Sequence, residues 1–139
     1  MTDFLDTNVL VYALDEDQGK RHETARALVE DLWESGRGVL STQVLQELYV
    51  TLTRKLLKPI TRPRARAVIG RYSAWPTHQI TPDDIMAASE LEQRHSLSFW
   101  DALIIVAAQR MNAVRLVSED MQDDRRFGSV RIVNPFADR

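Results

Sequence analysis

Apolar positions along the chain follow two rhythms. Short unbroken runs, "DFL" at 3–5, "GVLS" at 38–41 and "VRLVS" at 114–118, read as buried strands. "HQI" at 78–80 and "VRIVNPF" at 130–136 read as two more, the last closed by Pro135. Helical patterns lie between them. "NVLVYAL" starts with Thr7 or Asn8 as its cap. "KRHETARALVEDLWESG" carries its stripe on Ala25, Leu28, Val29 and Leu32 and stops at Gly36. "TQVLQELYVTLTRKLL" reads as one helix over 42–57, with Leu45, Leu48, Leu52 and Leu56 at helical spacing. After the breaks at Pro59 and Pro63, "RARAVIGRYSAW" is a weaker helix, bent near Gly70. "PDDIMAASELEQRHS" opens on Pro82 and early acids, as a helix start should. "SFWDALIIVAAQRMN" has no polar residue from Ala102 to Ala108, which predicts burial nearly all round.

Strands alternating with helices predict an α/β fold: a short parallel sheet covered on both faces. Crossovers in such sheets are right-handed, and sites form beyond the carboxyl ends of the strands. No repeat, linker or low-complexity segment interrupts the 139 residues, which fit one domain over 1–139.

That rule selects among the acids. Asp6 follows the first strand and Asp120 follows "RLVS", so both should emerge at one edge of the sheet. Asp101 opens the buried helix. Glu47 lies in the first turns after "GVLS", off the leucine stripe and on a flank shared with Gln43, Val50 and Arg54. Each acid taken alone has a plain reading. Asp6 caps a helix, Glu47 is a surface residue, Asp101 forms a capping box with Ser98, and Asp120 belongs to turn chemistry in "SEDMQDD". The coincidence of four carries the other reading. Carboxylates that close do not all ionise without a cation between them, and Mg²⁺ or Mn²⁺ suits oxygen ligands.

Composition narrows the classes. The chain is 44% hydrophobic and 27% charged, as soluble globular proteins are. It has no cysteine, which excludes disulfides and thiolate metal sites and fits a cytoplasmic setting. No secretory leader is read at the N-terminus, and "ALIIVAA" is too short to span a bilayer, so no membrane partner is expected. The net charge of −2 excludes a globally basic nucleic-acid binder. Yet Leu48 to Pro82 contains no acid and carries Arg54, Lys55, Lys58, Arg62, Arg64, Arg66 and Arg71. This stretch is either a contact for an anionic partner or a solvated face balancing acids elsewhere.

Four blocks, "FLDTNVLVYAL", "STQVLQELYVTL", "LSFWDALIIVAA" and "LVSEDMQD", occur in that order. Together they resemble the PIN-domain family, in particular the VapC-like toxins of bacterial toxin–antitoxin pairs, from Asp3 to Pro135. The resemblance implies a three-layer α/β/α sandwich and a Mg²⁺- or Mn²⁺-dependent ribonuclease. Carried across, the metal-site acids are Asp6, Glu47, Asp101 and Asp120. Thr7 and Asn8 complete the "DTN" signature, with Asn8 ordering the first loop. Ser118 matches a supporting Ser/Thr position. The fourth acid varies most in the family, and Asp124 is a second contender beside Asp120. The resemblance also implies RNA (tRNA or rRNA) as substrate, a cognate antitoxin as partner, and a homodimer.

The residues agree with that chemistry. Metal-assisted phosphodiester hydrolysis activates water and stabilises the leaving oxygen without a protein nucleophile. His22, His78 and His95 fall outside the four blocks and read as surface or helix-end residues. Arg54, Lys55 and Lys58 lie where RNA phosphates could be gripped; Lys20, Arg125 and Arg126 are weaker candidates. Trp75 and Trp100 could stack bases, though the apolar context of Trp100 reads as buried. Two other functions compete. A phosphatase with Asp6 as nucleophile would want a second Asp where Asn8 stands. A non-catalytic RNA- or protein-binding module would keep the acids for fold and docking only.

Overall fold

Strand β1 (Asp3–Leu5) runs through the middle of the sheet, and its neighbours decide where the functional edge lies. The computed structural model describes residues 1–138. After β1 come α1 (Thr7–Leu14), a single tight turn (Glu16–Gln18), α2 (Lys20–Ser35), β2 (Gly38–Ser41) and α3 (Thr42–Val50). A wide turn (Thr51–Lys55), α4 (Arg62–Tyr72), β3 (Thr77–His78), α5 (Pro82–His95) and α6 (Phe99–Arg110) follow. The chain closes with β4 (Arg115–Val117), β5 (Arg126–Phe127) and β6 (Val130–Val133).

The sheet order is β3-β2-β1-β4-β6-β5. All pairings are parallel except β5 with β6. Phe4, Leu5, Val39, Leu40 and Leu116 are all within 2% of full burial, although successive residues point to opposite faces. A sheet whose two faces are both dry must be covered twice, which gives the three-layer α/β/α sandwich. Helix α6 lies against β2, β4 and β6, with α5 packed on its outer side through Ala88, Ala102, Leu103 and Val106. This explains the unbroken apolar run: Ala102 to Ala108 are all buried. Helices α1 to α4 form a connected group.

Two sequence expectations need correction. The helix read over 42–57 is α-helical only to Val50. It then widens into a turn in which the Leu56 N–H reaches the Thr51 carbonyl, five residues back, at 3.2 Å. The last strand has an unforeseen partner. Phe127 pairs with Val130 across the two-residue loop Gly128–Ser129, and Gly128 takes φ 61°. Gly-Ser between extended residues is a hairpin signal, and the first loop position needs a positive φ.

Two polar clusters hold the frame away from the functional edge. Asp3, on β1, pairs with Arg115, on β4. Asp84 is 2% exposed and accepts from the Thr81 N–H, His78 Nε2 and Arg110 Nε at 2.9, 2.6 and 3.0 Å. It closes a capping box at the start of α5 and ties it to β3 and α6. Those three donors hold its carboxyl down to about pKa 2, overriding the burial that pushes it up.

Candidate active site

From β1 the chain continues to β2 on one side, while β4 flanks β1 on the other. The carboxyl ends of β1 and β4 therefore bound a crevice of the kind where α/β folds place their sites. Asp6 is the first residue after β1. Its backbone N–H donates to the Val117 carbonyl at 3.0 Å, so the edge of β1 stays stitched to β4. Ser118, directly after β4, donates its Oγ to Asp6 Oδ2 at 2.7 Å and accepts from the Asp120 N–H at 3.2 Å.

Thr7 and Asn8 extend this web. The Thr7 N–H donates to Asp6 Oδ1 at 2.8 Å, and its hydroxyl donates to Glu47 Oε2 at 2.8 Å. The Asn8 amide donates to Asp120 Oδ2 at 3.0 Å and, more weakly, to Asp6 Oδ2 at 3.4 Å. Its carbonyl accepts from the Glu119 N–H at 3.2 Å, which orders the loop after β4. The loop that Asn8 holds is thus the one after β4, not the first loop that the sequence reading assigned to it. Asp101 sits in the first turn of α6, where its N–H is capped by Ser98 Oγ at 3.1 Å.

Asp6 and Asp101 each lie within reach of the charges of Glu47 and Asp120. Burial lifts the Asp6 carboxyl to about 6, against the lowering bonds from Ser118 and Thr7; the charges of Glu47 and Asp120 add to the rise. Burial also raises Asp101, and Asp120 and Glu47 push it the same way. Among the described residues no Lys or Arg forms an ion pair with any of the four. Their partners are instead neutral donors.

An all-oxygen donor set, uncompensated by protein cations, fits a hard divalent ion. The side chains are not gathered around one point, however: among the described residues no three acids or imidazoles are arranged to hold an ion as they stand. The fit is one of chemistry and charge. Asp124, at φ 67°, pairs its carboxylate with Arg131 Nε at 2.5 Å.

A groove of roughly 370 Å³ runs along the web, lined by Thr7, Asn8, Tyr12, Glu47, Thr51, Lys55 and Asp120. The wide turn after α3 carries Lys55 to it. In a regular helix Lys55 would sit about 80° round from Glu47, and the wider turn lags behind that rotation. Arg54 and Lys58 are exposed but do not line the groove. A smaller recess of about 110 Å³, which shares Asp120 with the groove, is lined by Asp101, Arg125 and Phe127 among others. Lys20 lines a separate recess with Arg21 and Phe136, and Arg126 is exposed on β5. A cavity of about 610 Å³ between α3 and α4 is lined mainly by apolar side chains and contains none of the four acids.

Within this geometry, the chain matches the PIN domain over residues 4–128. It belongs to the PIN-domain family. Solved structures show the same fold at low sequence identity. A toxin–antitoxin complex from Klebsiella pneumoniae gives a TM-score of 0.71 at 21% identity, covering 97% of this chain and 98% of that one. VapC20 of Mycobacterium tuberculosis, described as a sarcin-ricin loop cleaving toxin, gives 0.63 at 24%, covering 83% and 87%. VapBC2 of Rickettsia felis, solved on promoter DNA, gives 0.65 at 20%, covering 95% and 97%. No curated protein sequence matches at the same stringency.

Some residues of this PIN domain depart from the sequence reading. Trp100 is 63% exposed, in the first turn of α6, whereas Trp75 is buried against Trp33 and Tyr72. The apolar context of Trp100 belongs to Phe99 and the helix beyond it, which turn inward and leave the indole outside. Trp75 also fills the space over Gly38, where a Cβ would come within 2.5 Å of the indole. Of the histidines, His22 and His95 stand at helix ends as read, with His22 Nδ1 on the Tyr12 carbonyl and His95 Nδ1 on Arg125, whereas His78 lies on β3 and holds Asp84. Gln43 is the residue the site reading missed. Its amide donates to Glu47 Oε1 at 3.0 Å and to the Trp100 carbonyl at 3.2 Å. The signal was its place one turn before Glu47.

Proposed function

We propose that this PIN domain is a Mg²⁺- or Mn²⁺-dependent endoribonuclease, the toxin of a toxin–antitoxin pair, acting on structured RNA such as tRNA or rRNA. The observation that carries the reading is Asp6: a residue 94% buried, its carboxyl raised to about 6 by burial, beside Glu47 and Asp120, with which no Lys or Arg forms an ion pair among the described residues. Evolution of a stable core alone gives no reason to keep such a group.

Asp6, Glu47, Asp101 and Asp120 would hold the ion, and a bound ion of this kind activates water and stabilises the leaving oxygen. The rest of the reaction falls to the chain. Thr7, Asn8, Ser118 and Gln43 fix the carboxylates through hydrogen bonds that do not neutralise them. Lys55 faces the groove and attracts a backbone phosphate. Trp100 offers an exposed ring beside Asp101 on which a base can stack.

The solved toxin–antitoxin and VapBC complexes support an antitoxin as partner. In the proposed reading the antitoxin blocks the acidic groove with a basic side chain, and the chain forms a homodimer. The test is RNA cleavage with Mg²⁺ or Mn²⁺ and then with EDTA, together with mapping of RNA 5′ ends after induction in cells. The expected result is discrete new ends that vanish in Asp6→Asn and Asp101→Asn. Undiminished cleavage in EDTA, or full activity in either variant, would falsify the mechanism. RNA binding without cleavage in any divalent ion would leave a non-catalytic binding module.

A further inference from the structure

Most arginines whose side-chain contacts are fixed in this structure hold a carboxylate. Arg21, Arg26, Arg37, Arg110, Arg115 and Arg131 each do so, and each is neutralised by it. Arg125 is fixed differently. Its guanidinium lies over the Phe127 ring, 4.7 Å from the centroid, and Nη2 donates to His95 Nδ1 at 3.1 Å. The His95 ring in turn stands edge-on to Phe127, centroids 5.2 Å apart at 86°. Phe127 is 4% exposed and anchored in β5, so the stack has a rigid base. Arg125 lines the recess that also contains Asp101 and Asp120.

The consequence is a cation held in place yet not neutralised. A ring face and a neutral imidazole lone pair orient the guanidinium without cancelling its charge. One of its several N–H donors is used, and the planar fork is left to meet an anion. Preorganisation of this kind reduces the ordering cost of binding. The shape and charge of the fork match a phosphodiester oxygen pair. Two cavities thus meet at Asp120, one lined by Lys55 and the other by Arg125, and among the described residues neither cation forms an ion pair.

We propose that Arg125, positioned by His95 and Phe127, grips the RNA backbone in its recess while Lys55 holds it in the groove, so that the strand crosses Asp120 between two phosphate contacts. This rests on the nuclease reading above.

The test uses fluorescence anisotropy of a fluorescein-labelled, mixed-sequence single-stranded RNA with the full chain, in EDTA, across a potassium chloride series. Arg125→Met keeps the stem that packs on Phe127 and removes the charge. It is expected to weaken binding about tenfold and to flatten the slope of log affinity against log salt by about 0.7. Arg125→Lys should keep the slope and recover part of the affinity. His95→Ala should weaken binding with an unchanged slope, and His95→Gln, which keeps an acceptor, should restore it. Unchanged affinity and slope in Arg125→Met, with wild type binding and cutting normally, overturns the Arg125 assignment and leaves the nuclease reading standing. Wild type that neither binds this RNA nor cuts RNA with Mn²⁺ removes the nuclease reading and this assignment together.

Discussion

Ser118 Oγ donates to Asp6 Oδ2 at 2.7 Å, joining two residues 112 apart in sequence at the ends of adjacent strands. That bond lowers the Asp6 carboxyl, and burial raises it further than the bond can lower it. The balance leaves Asp6 near 6, where protonation would compete with a cation bound under the proposed reading. In Ser118→Ala the lowering contribution is gone, so Asp6 should titrate higher still. Mn²⁺ binding, followed by calorimetry between about pH 5 and about pH 8, should then weaken most at the acid end of the range. An unchanged pH profile would mean that the hydroxyl does not tune Asp6.

Asp6 also makes a prediction about stability. Its carboxyl is raised from 3.8 to about 6, so between those values the folded chain binds more protons than the unfolded chain. Stability from this group therefore falls as pH rises through that window and stays low above it. Without a divalent ion, Asp6→Asn should raise stability near neutral pH, by at most about 3 kcal/mol, while abolishing cleavage. Urea unfolding in EDTA measures the first effect. A less stable Asp6→Asn would show that the bonds from Thr7 and Ser118 outweigh the burial of charge. In wild type, added Mn²⁺ should raise the unfolding midpoint, and in the variant it should do so much less.

Thr7 acts on Glu47 through a single hydroxyl bond of 2.8 Å. Thr7→Val keeps the shape and deletes the donor. Partners that orient metal-binding groups typically cost about 10- to 100-fold in affinity or activity when lost, and that range is expected for Mn²⁺ affinity here. The Asp6 bond is made by the Thr7 backbone and survives the substitution. A loss confined to substrate affinity, with cation affinity intact, would point to a role for Thr7 in the groove wall instead.

Much of this arrangement was legible in the chain, for a physical reason. Strand-end and helix-start positions are fixed by the apolar runs beside them, so "FLD", "RLVSED" and "FWDALIIVAA" located Asp6, Asp120 and Asp101 as soon as the sheet was read as parallel. Glu47 was legible from its flank on α3. What was not legible depends on contacts without a periodic signature. The wide turn at Thr51–Lys55 breaks a leucine stripe that continues through it. Local composition points the wrong way for both tryptophans: Trp100 stands in the apolar "SFWDALI" yet faces outward, and Trp75 in the more polar "YSAWPTH" yet is buried over Gly38. Arg125 stood in a charged run, "DDRR", where nothing in the sequence distinguishes it from Arg126; the Phe127 ring and His95 do.

Asp84 separates fold from function. Its carboxyl is held at about 2, so its stabilising contribution is complete above 3.8 and fades as pH falls from there through about 2. Asp84→Ala leaves His78 and Arg110 without their carboxylate. The half-exposed Arg110 can turn to water, so the loss should sit near the low end for a broken buried pair, about 3 kcal/mol. Urea unfolding near neutral pH reads it directly. Below the unfolding midpoint, Mn²⁺ affinity should be unchanged, because none of these groups touches the acidic web.

Trp100 should show the converse pattern. The ring is 63% exposed, and its link to the site runs through its backbone carbonyl, which accepts from Gln43. Trp100→Ala keeps that carbonyl, so Glu47 stays anchored. Stability should change by no more than about 0.5 kcal/mol, as for most surface substitutions. If a base stacks on the indole, RNA affinity in EDTA should fall by about 1–3 kcal/mol, and Trp100→Phe should recover part of it. The salt dependence should not change, because no phosphate contact is lost. This sets Trp100 apart from Arg125 and Lys55, whose removal should flatten the salt slope. A Trp100→Ala variant that binds RNA like wild type but changes its sedimentation behaviour would instead assign the exposed ring to contact between copies of the chain.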